Sequence, residues 1–124
     1  MSQAQDFTDL RVWRAAHQLV LLTYKNTKRF PKEELFALVS QMRRASVSVT
    51  SNIAEGFGRH TSKDKDHFYV MASGSLLELK NQYIIAKDLG YITADQLDTF
   101  ELQFLDTKTL LYALLRTHRQ SFGK

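Results

Sequence analysis

Apolar residues recur at helical spacing in four stretches of the chain. The first reads Leu10, Trp13, His17, Val20 and Tyr24, and the second Leu35, Leu38, Met42, Ala45, Val49 and Ile53. The third reads Phe68, Met71, Ser75, Leu79, Gln82 and Ala86, and the fourth Leu97, Phe100, Phe104, Leu111 and Leu115. Steps of three and four keep side chains on one face of a helix, whereas strands would need alternation. The breakers fall between these stretches. Pro31 suits a helix start, Gly56 and Gly58 bracket Phe57, and Gly90 follows Leu89 as a terminating glycine would. Thr93 with Gln96 fits a capping box, and Thr61 offers a cap before Asp64. The pattern therefore predicts helices over about 10–29, 32–55, 62–88 and 94–119. Short loops join them, so an all-α, antiparallel up-and-down four-helix bundle follows, one domain over residues 1–124.

Two features exceed a generic bundle. Small residues run through Ala45-Ser46-Val47-Ser48, Ser51 and Ala54 on the second helix and Ala72-Ser73-Gly74-Ser75 on the third. Gly74 inside a helix costs about 1 kcal/mol against alanine, which predicts that it admits a neighbouring backbone. Leu19–Leu22, Tyr83–Ala86 and Leu110–Leu115 are consecutive apolar runs that point around the whole helix. A lone bundle buries one stripe per helix, so the surplus predicts a homo-oligomer.

Composition narrows the chemistry. One proline and five glycines in 124 residues argue against an all-β or βα-repeat fold, the absence of cysteine excludes disulfides and thiolate chemistry, and a cytoplasmic setting is expected. No targeting signal is legible in the polar Met1–Asp9, and no stretch is apolar enough to span a membrane. The chain lacks a P-loop, a nucleophile elbow and Glu-x-x-His pairs. His60, Asp64 and His67 are spaced for one helical face, but His60 precedes the cap, and no metal or other cofactor is expected. His17 and His118 read as ordinary packing or capping residues. Glu55 sits near a helix C-terminus, where the dipole disfavours an acid, so Asn52 and Glu55 read as a structural latch on the 56–62 turn. No catalytic residue is expected, and the chain reads as a non-enzyme.

The formal charge is +4, from seventeen Lys and Arg against thirteen Asp and Glu. Antiparallel topology brings the second turn, the start of the first helix and the end of the fourth to one end. That end gathers Arg11, Arg14, Arg59, Lys63, Lys65, Arg116 and Arg119 against five acids. The opposite end balances, and Arg43 and Arg44 add charge midway along the second helix. These nine cations are the candidate nucleic-acid-binding residues.

The residues also carry a resemblance. Phe7-Thr8-Asp9-Leu10-Arg11-Val12-Trp13, Phe30-Pro31 and Gln41-Met42-Arg43-Arg44-Ala45-Ser46-Val47-Ser48-Val49 lead into Asn52-Ile53-Ala54-Glu55-Gly56. Leu76-Leu77-Glu78-Leu79 and Leu89-Gly90-Tyr91-Ile92 follow. Over about residues 6–119 the chain resembles the bacterial four-helix-bundle family of 23S rRNA intervening-sequence proteins, often labelled S23. It also looks like the accessory proteins of diversity-generating retroelements. That resemblance implies a pentamer with a basic surface engaging nucleic acid. It equally implies a protein-interaction role, docking a nucleic-acid enzyme such as a reverse transcriptase. Arg43, Arg44, Asn52, Glu55 and Arg59 match the motif and are carried over as functional or latch positions.

Overall fold

The computed structural model describes residues 3–122, with side chains described through Thr117. Among these residues four long helices form and no strand: α1 (Arg11–Thr27), α2 (Ser40–Gly58), α3 (Ser62–Asp88) and α4 (Ala94–Phe122). Each packs chiefly on its chain neighbours, and α4 returns to α1, so the bundle is the antiparallel square that the spacing predicts.

The boundaries follow from local chemistry. Thr61 Oγ1 accepts from the Asp64 N–H at 3.1 Å and starts α3. Thr93 and Gln96 cap α4 reciprocally, at 2.8 and 3.1 Å. Gly90 adopts φ +80°, which L side chains resist, and lets the Tyr91 N–H reach back to the Ala86 carbonyl at 2.9 Å. Several expected boundaries move. The first helix stops at Thr27, and residues 32–39 before α2 form a 3₁₀ turn and a π-helical turn rather than α-helix. The α2 helix also runs through both glycines to Gly58 instead of stopping near residue 55.

The glycines divide differently from the sequence expectation. A Cβ at Gly74 would meet open space, so that residue admits no neighbouring backbone. Gly56 makes the close approach: a Cβ there would lie 2.6 Å from Tyr69 Cε1 and 3.2 Å from Phe68 Cβ. Further along the same seam, Ser48 Oγ and Ser75 Oγ share a hydrogen bond of 2.8 Å. Small residues are thus used to bring α2 and α3 together, and this pair makes the most extensive contact in the bundle.

Leu19, Met42, Val49, Ile53, Leu76, Leu79, Phe100 and Leu111 are fully buried, each contributing about 1.5–3 kcal/mol relative to exposure. Within this apolar layer lies one polar cluster. The Tyr83 hydroxyl accepts from Asn26 Nδ2 at 3.1 Å and shares a hydrogen bond of 3.1 Å with Thr23 Oγ1. The Tyr83 ring stacks on Phe100 at 3.7 Å, and Gln96 Nε2 donates to Asn26 Oδ1 at 3.5 Å. One tyrosine therefore joins α1, α3 and α4.

Gly56→Ala is expected to destabilise the fold by about 1–3 kcal/mol, because the buried ring must move, whereas Gly74→Ala should stabilise it by up to about 1 kcal/mol. Chemical denaturation of the pair checks both signs. Burial raises the Tyr69 and Tyr83 hydroxyls above their usual value of 10.0, and a hydrogen bond to Glu34 raises Tyr91. Neutral tyrosine is thus favoured in the folded state. The resulting stability is complete below the unfolded pKa and is lost as pH rises through the folded values. Denaturation midpoints should therefore fall above pH 10, and less steeply in Tyr83→Phe, which at neutral pH should itself cost about 1–3 kcal/mol.

Candidate nucleic-acid interface

The end of the bundle holding the α2–α3 turn is built around the partly buried last carbonyls of α2. An α-helix leaves its last carbonyls unpaired. Here Lys65 meets them: its ammonium donates to Phe57 O at 2.7 Å and Gly56 O at 3.3 Å, 5.5 Å from the Phe57 ring centre. Arg59 lies 4.5 Å over the Phe68 ring and pairs with Glu55 at 2.8 Å. That pair is solvent-exposed and contributes under about 1 kcal/mol. Arg14 Nε donates to the Thr8 carbonyl at 2.9 Å, tying α1 to the turn before it. Arg11 and Arg14 border the groove between α1 and α4, opposite Gln103 and Asp106.

Six of the nine candidate cations therefore share this end. Arg11, Arg14, Arg59, Lys63 and Arg116 are exposed, and Lys65 is half-buried and engaged with the turn. The acids there are partly occupied. Asp9 Oδ2 accepts from the Gln5 and Asp6 N–H groups at 2.9 and 3.1 Å, and Asp6 accepts from the Thr8 hydroxyl at 2.7 Å. Asp64 lies in the first turn of α3, where the helix dipole favours it. The side chains of Arg119 and His118 lie outside the described residues.

Arg43 and Arg44 are not part of this group. Arg43 Nε donates to Thr27 Oγ1 at 3.0 Å and its guanidinium lies 4.5 Å over the Tyr24 ring, at the last turn of α1. Sixteen residues of helix separate it from Arg59, a rise of about 24 Å toward the other end. Asn52 departs from its expected role as well. Its Nδ2 donates to Ser48 O at 2.9 Å and Ser48 Oγ at 3.1 Å, supporting the α2–α3 seam through Ser75. The 56–62 turn is fastened by Lys65 and Thr61 instead, while Glu55 reaches it through Arg59.

The described histidines pack singly against their neighbours. His17 stacks on Trp13 at 4.8 Å, and His60 and Asp64 line one shallow pocket beside Arg59. Among the described residues no group of three or more His, Asp or Glu side chains is placed to hold a metal, and no helix is long and apolar enough to cross a membrane.

The apolar surplus is real but differently distributed. Leu19, Leu111 and Leu115 are buried, while Leu21, Ile84, Ile85 and Tyr112 stay exposed. Sequence spacing missed the largest exposures, Phe36 at 92%, Leu102 at 74% and Leu105 at 57%. A usable signal was present: Leu102, Leu105 and Tyr112 follow a second stripe of three- and seven-residue steps, out of phase with Phe100, Phe104 and Leu111.

Comparison with known proteins places this geometry among relatives. The model of the 23S rRNA-intervening sequence protein family matches residues 8–113. A crystal structure of a protein of unknown function from the S23 ribosomal protein family of Bacteroides thetaiotaomicron superposes with a TM-score of 0.77. It is 16% identical, over 85% of this chain and 95% of that one, so it shares the fold. No curated protein sequence matches the chain.

The two lysines of the turn are expected to behave differently. Lys65→Met should cost about 1 kcal/mol, because partly buried carbonyls lose their donor, and should speed amide exchange at residues 57–62. Lys63→Met should leave stability within about 0.5 kcal/mol of the parent.

Proposed function

Because the chain belongs to the 23S rRNA-intervening sequence protein family, we propose that it is a non-enzymatic, homo-oligomeric helical bundle that binds structured RNA through its cationic end. The observation that carries this reading is the gathering of exposed Arg11, Arg14, Arg59, Lys63 and Arg116 at one end, while the opposite end holds balanced charge. Arginine and lysine there meet phosphates as positioning contacts, with no base-reading groove element required. An A-form stem offers its phosphates and 2′-hydroxyls across a shallow minor groove, which a blunt helical end can approach.

Exposed Phe36, Leu102, Leu105, Leu21 and Ile84 support self-association, since an isolated bundle gains nothing by leaving them in water. Association also repeats the cationic end once per subunit. Five copies, the number the family resemblance favours, would place at least twenty-five exposed cations on one assembly. Each phosphate neutralised releases counterions, so affinity depends steeply on salt.

A long-stemmed RNA hairpin is expected to bind in gel shifts at about 50 mM salt and to weaken by orders of magnitude by about 200 mM. Replacing Arg11, Arg14 and Lys63 together by glutamine should reduce both the affinity and the salt slope. Binding indifferent to salt, or absent at about 50 mM, would overturn the proposal.

A further inference from the structure

The α2–α3 turn carries an open cleft of about 480 Å³, lined by Glu55, Gly58, Arg59, His60, Thr61 and Asp64. That size lies within the ~300–1,000 Å³ of small-ligand sites. Three of its residues together point to what it holds.

The first is Gly58, the last residue of α2. Its φ is not positive, so no left-handed turn requires a glycine, and a Cβ there would meet open space. Alanine would fit the fold and gain up to about 1 kcal/mol of helix propensity. What the missing side chain does provide is room, because anything larger would project into the cleft.

The second is Arg59. Its guanidinium lies 4.5 Å over the Phe68 ring, and its Nη2 donates to Glu55 Oε2 at 2.8 Å. These contacts hold one face of the guanidinium against the ring, and with 44% of the side chain exposed the opposite face is open. A guanidinium plane fixed in this way is a platform on which an unpaired RNA base stacks.

The third is Asp64, exposed on the wall of the same cleft. Thr61 Oγ1 holds its backbone N–H at 3.1 Å and so fixes the residue in the first turn of α3. Glu55 is paired with Arg59, which leaves the Asp64 carboxylate as the open acceptor of the cleft. Its two oxygens suit two parallel N–H donors. Among the RNA bases only guanine offers such a pair on its Watson–Crick edge, N1–H beside the N2 amino group. Adenine and cytosine place one amino group beside a bare ring nitrogen, and uracil sets one N–H between two carbonyls. A bare phosphate would be repelled by the same carboxylate.

We propose that the cleft takes one unpaired guanine of an RNA, stacked on Arg59 with its Watson–Crick edge on Asp64, in the room left by Gly58. This rests on the RNA-binding reading above and deepens it: the surrounding cations hold phosphates, and the cleft selects the nucleotide. Exposed Lys63, next to Asp64 in the chain, meets the phosphate beside that base.

The test uses three RNA hairpins with one stem and a single-nucleotide bulge of guanosine, inosine or adenosine. Inosine keeps the N1–H of guanine and lacks the amino group. In gel shifts with the full chain at about 50 mM salt, the guanosine bulge should bind about tenfold tighter than the adenosine bulge, with inosine between them. Gly58→Leu, which fills the cleft, and Asp64→Asn, which turns one acceptor into a donor, should each abolish that preference. Both positions are exposed, so the variants should keep the fold, which circular dichroism checks. Three bulges bound alike by the parent, or a guanosine preference that survives both substitutions, would overturn the guanine site and leave the RNA reading standing. No binding of any hairpin at that salt would overturn both.

Discussion

The Tyr83 hydroxyl is the constraint on which the arrangement of the helices depends. It lies in an otherwise apolar layer and must find partners there, since an unpaired hydroxyl in that environment costs about 1–3 kcal/mol. Its partners, Thr23 and Asn26, come from the helix diagonally across the bundle. Leucines can slide past one another by a turn at little cost, but a tyrosine bonded to two residues of α1 and stacked on Phe100 cannot. The register of α1, α3 and α4 is fixed by this one group, and Arg43 brings α2 into the same scheme by bonding Thr27.

The two ends of the bundle differ as a consequence. Several polar side chains at the Tyr83 end bond to other helices or turns of the protein: Gln96 to Asn26, Arg43 to Thr27, and the Tyr91 hydroxyl to Glu34 at 2.7 Å. At the other end the helices are fastened by small residues and by Lys65 on backbone carbonyls. The remaining arginines and lysines there stay in water. One end thus confers order, and the other keeps Arg11, Lys63 and Arg116 exposed.

Much of the fold was legible because its determinants are local. Thr61, Gly90, Thr93 and Gln96 act on backbone groups within five residues, and sequence neighbours suffice to identify them. The site was legible only in part. Topology alone brings Arg11, Arg59, Lys63 and Arg116 to one end. Whether a given cation is free depends on contacts across helices, which removed Arg43 and Lys65 from the free set. The glycines show the same limit. Sequence reads Gly56 as a helix stop and Gly74 as the close approach, and only the position of the Tyr69 ring shows Gly56 to be the required glycine and Gly74 the tolerated one.

Helical periodicity, caps and breakers by themselves determined four helices, their order and their antiparallel connection, because each is set by hydrogen bonds and spacing within a few residues. The tertiary structure decided which apolar residues remain outside, that Phe36 and Leu102 protrude while Leu19 and Leu111 do not, and which arginines remain free. Those outcomes depend on the rotation of each helix about its own axis, and that angle is set by contacts between residues far apart in the chain, Tyr83 with Thr23 and Asn26 above all.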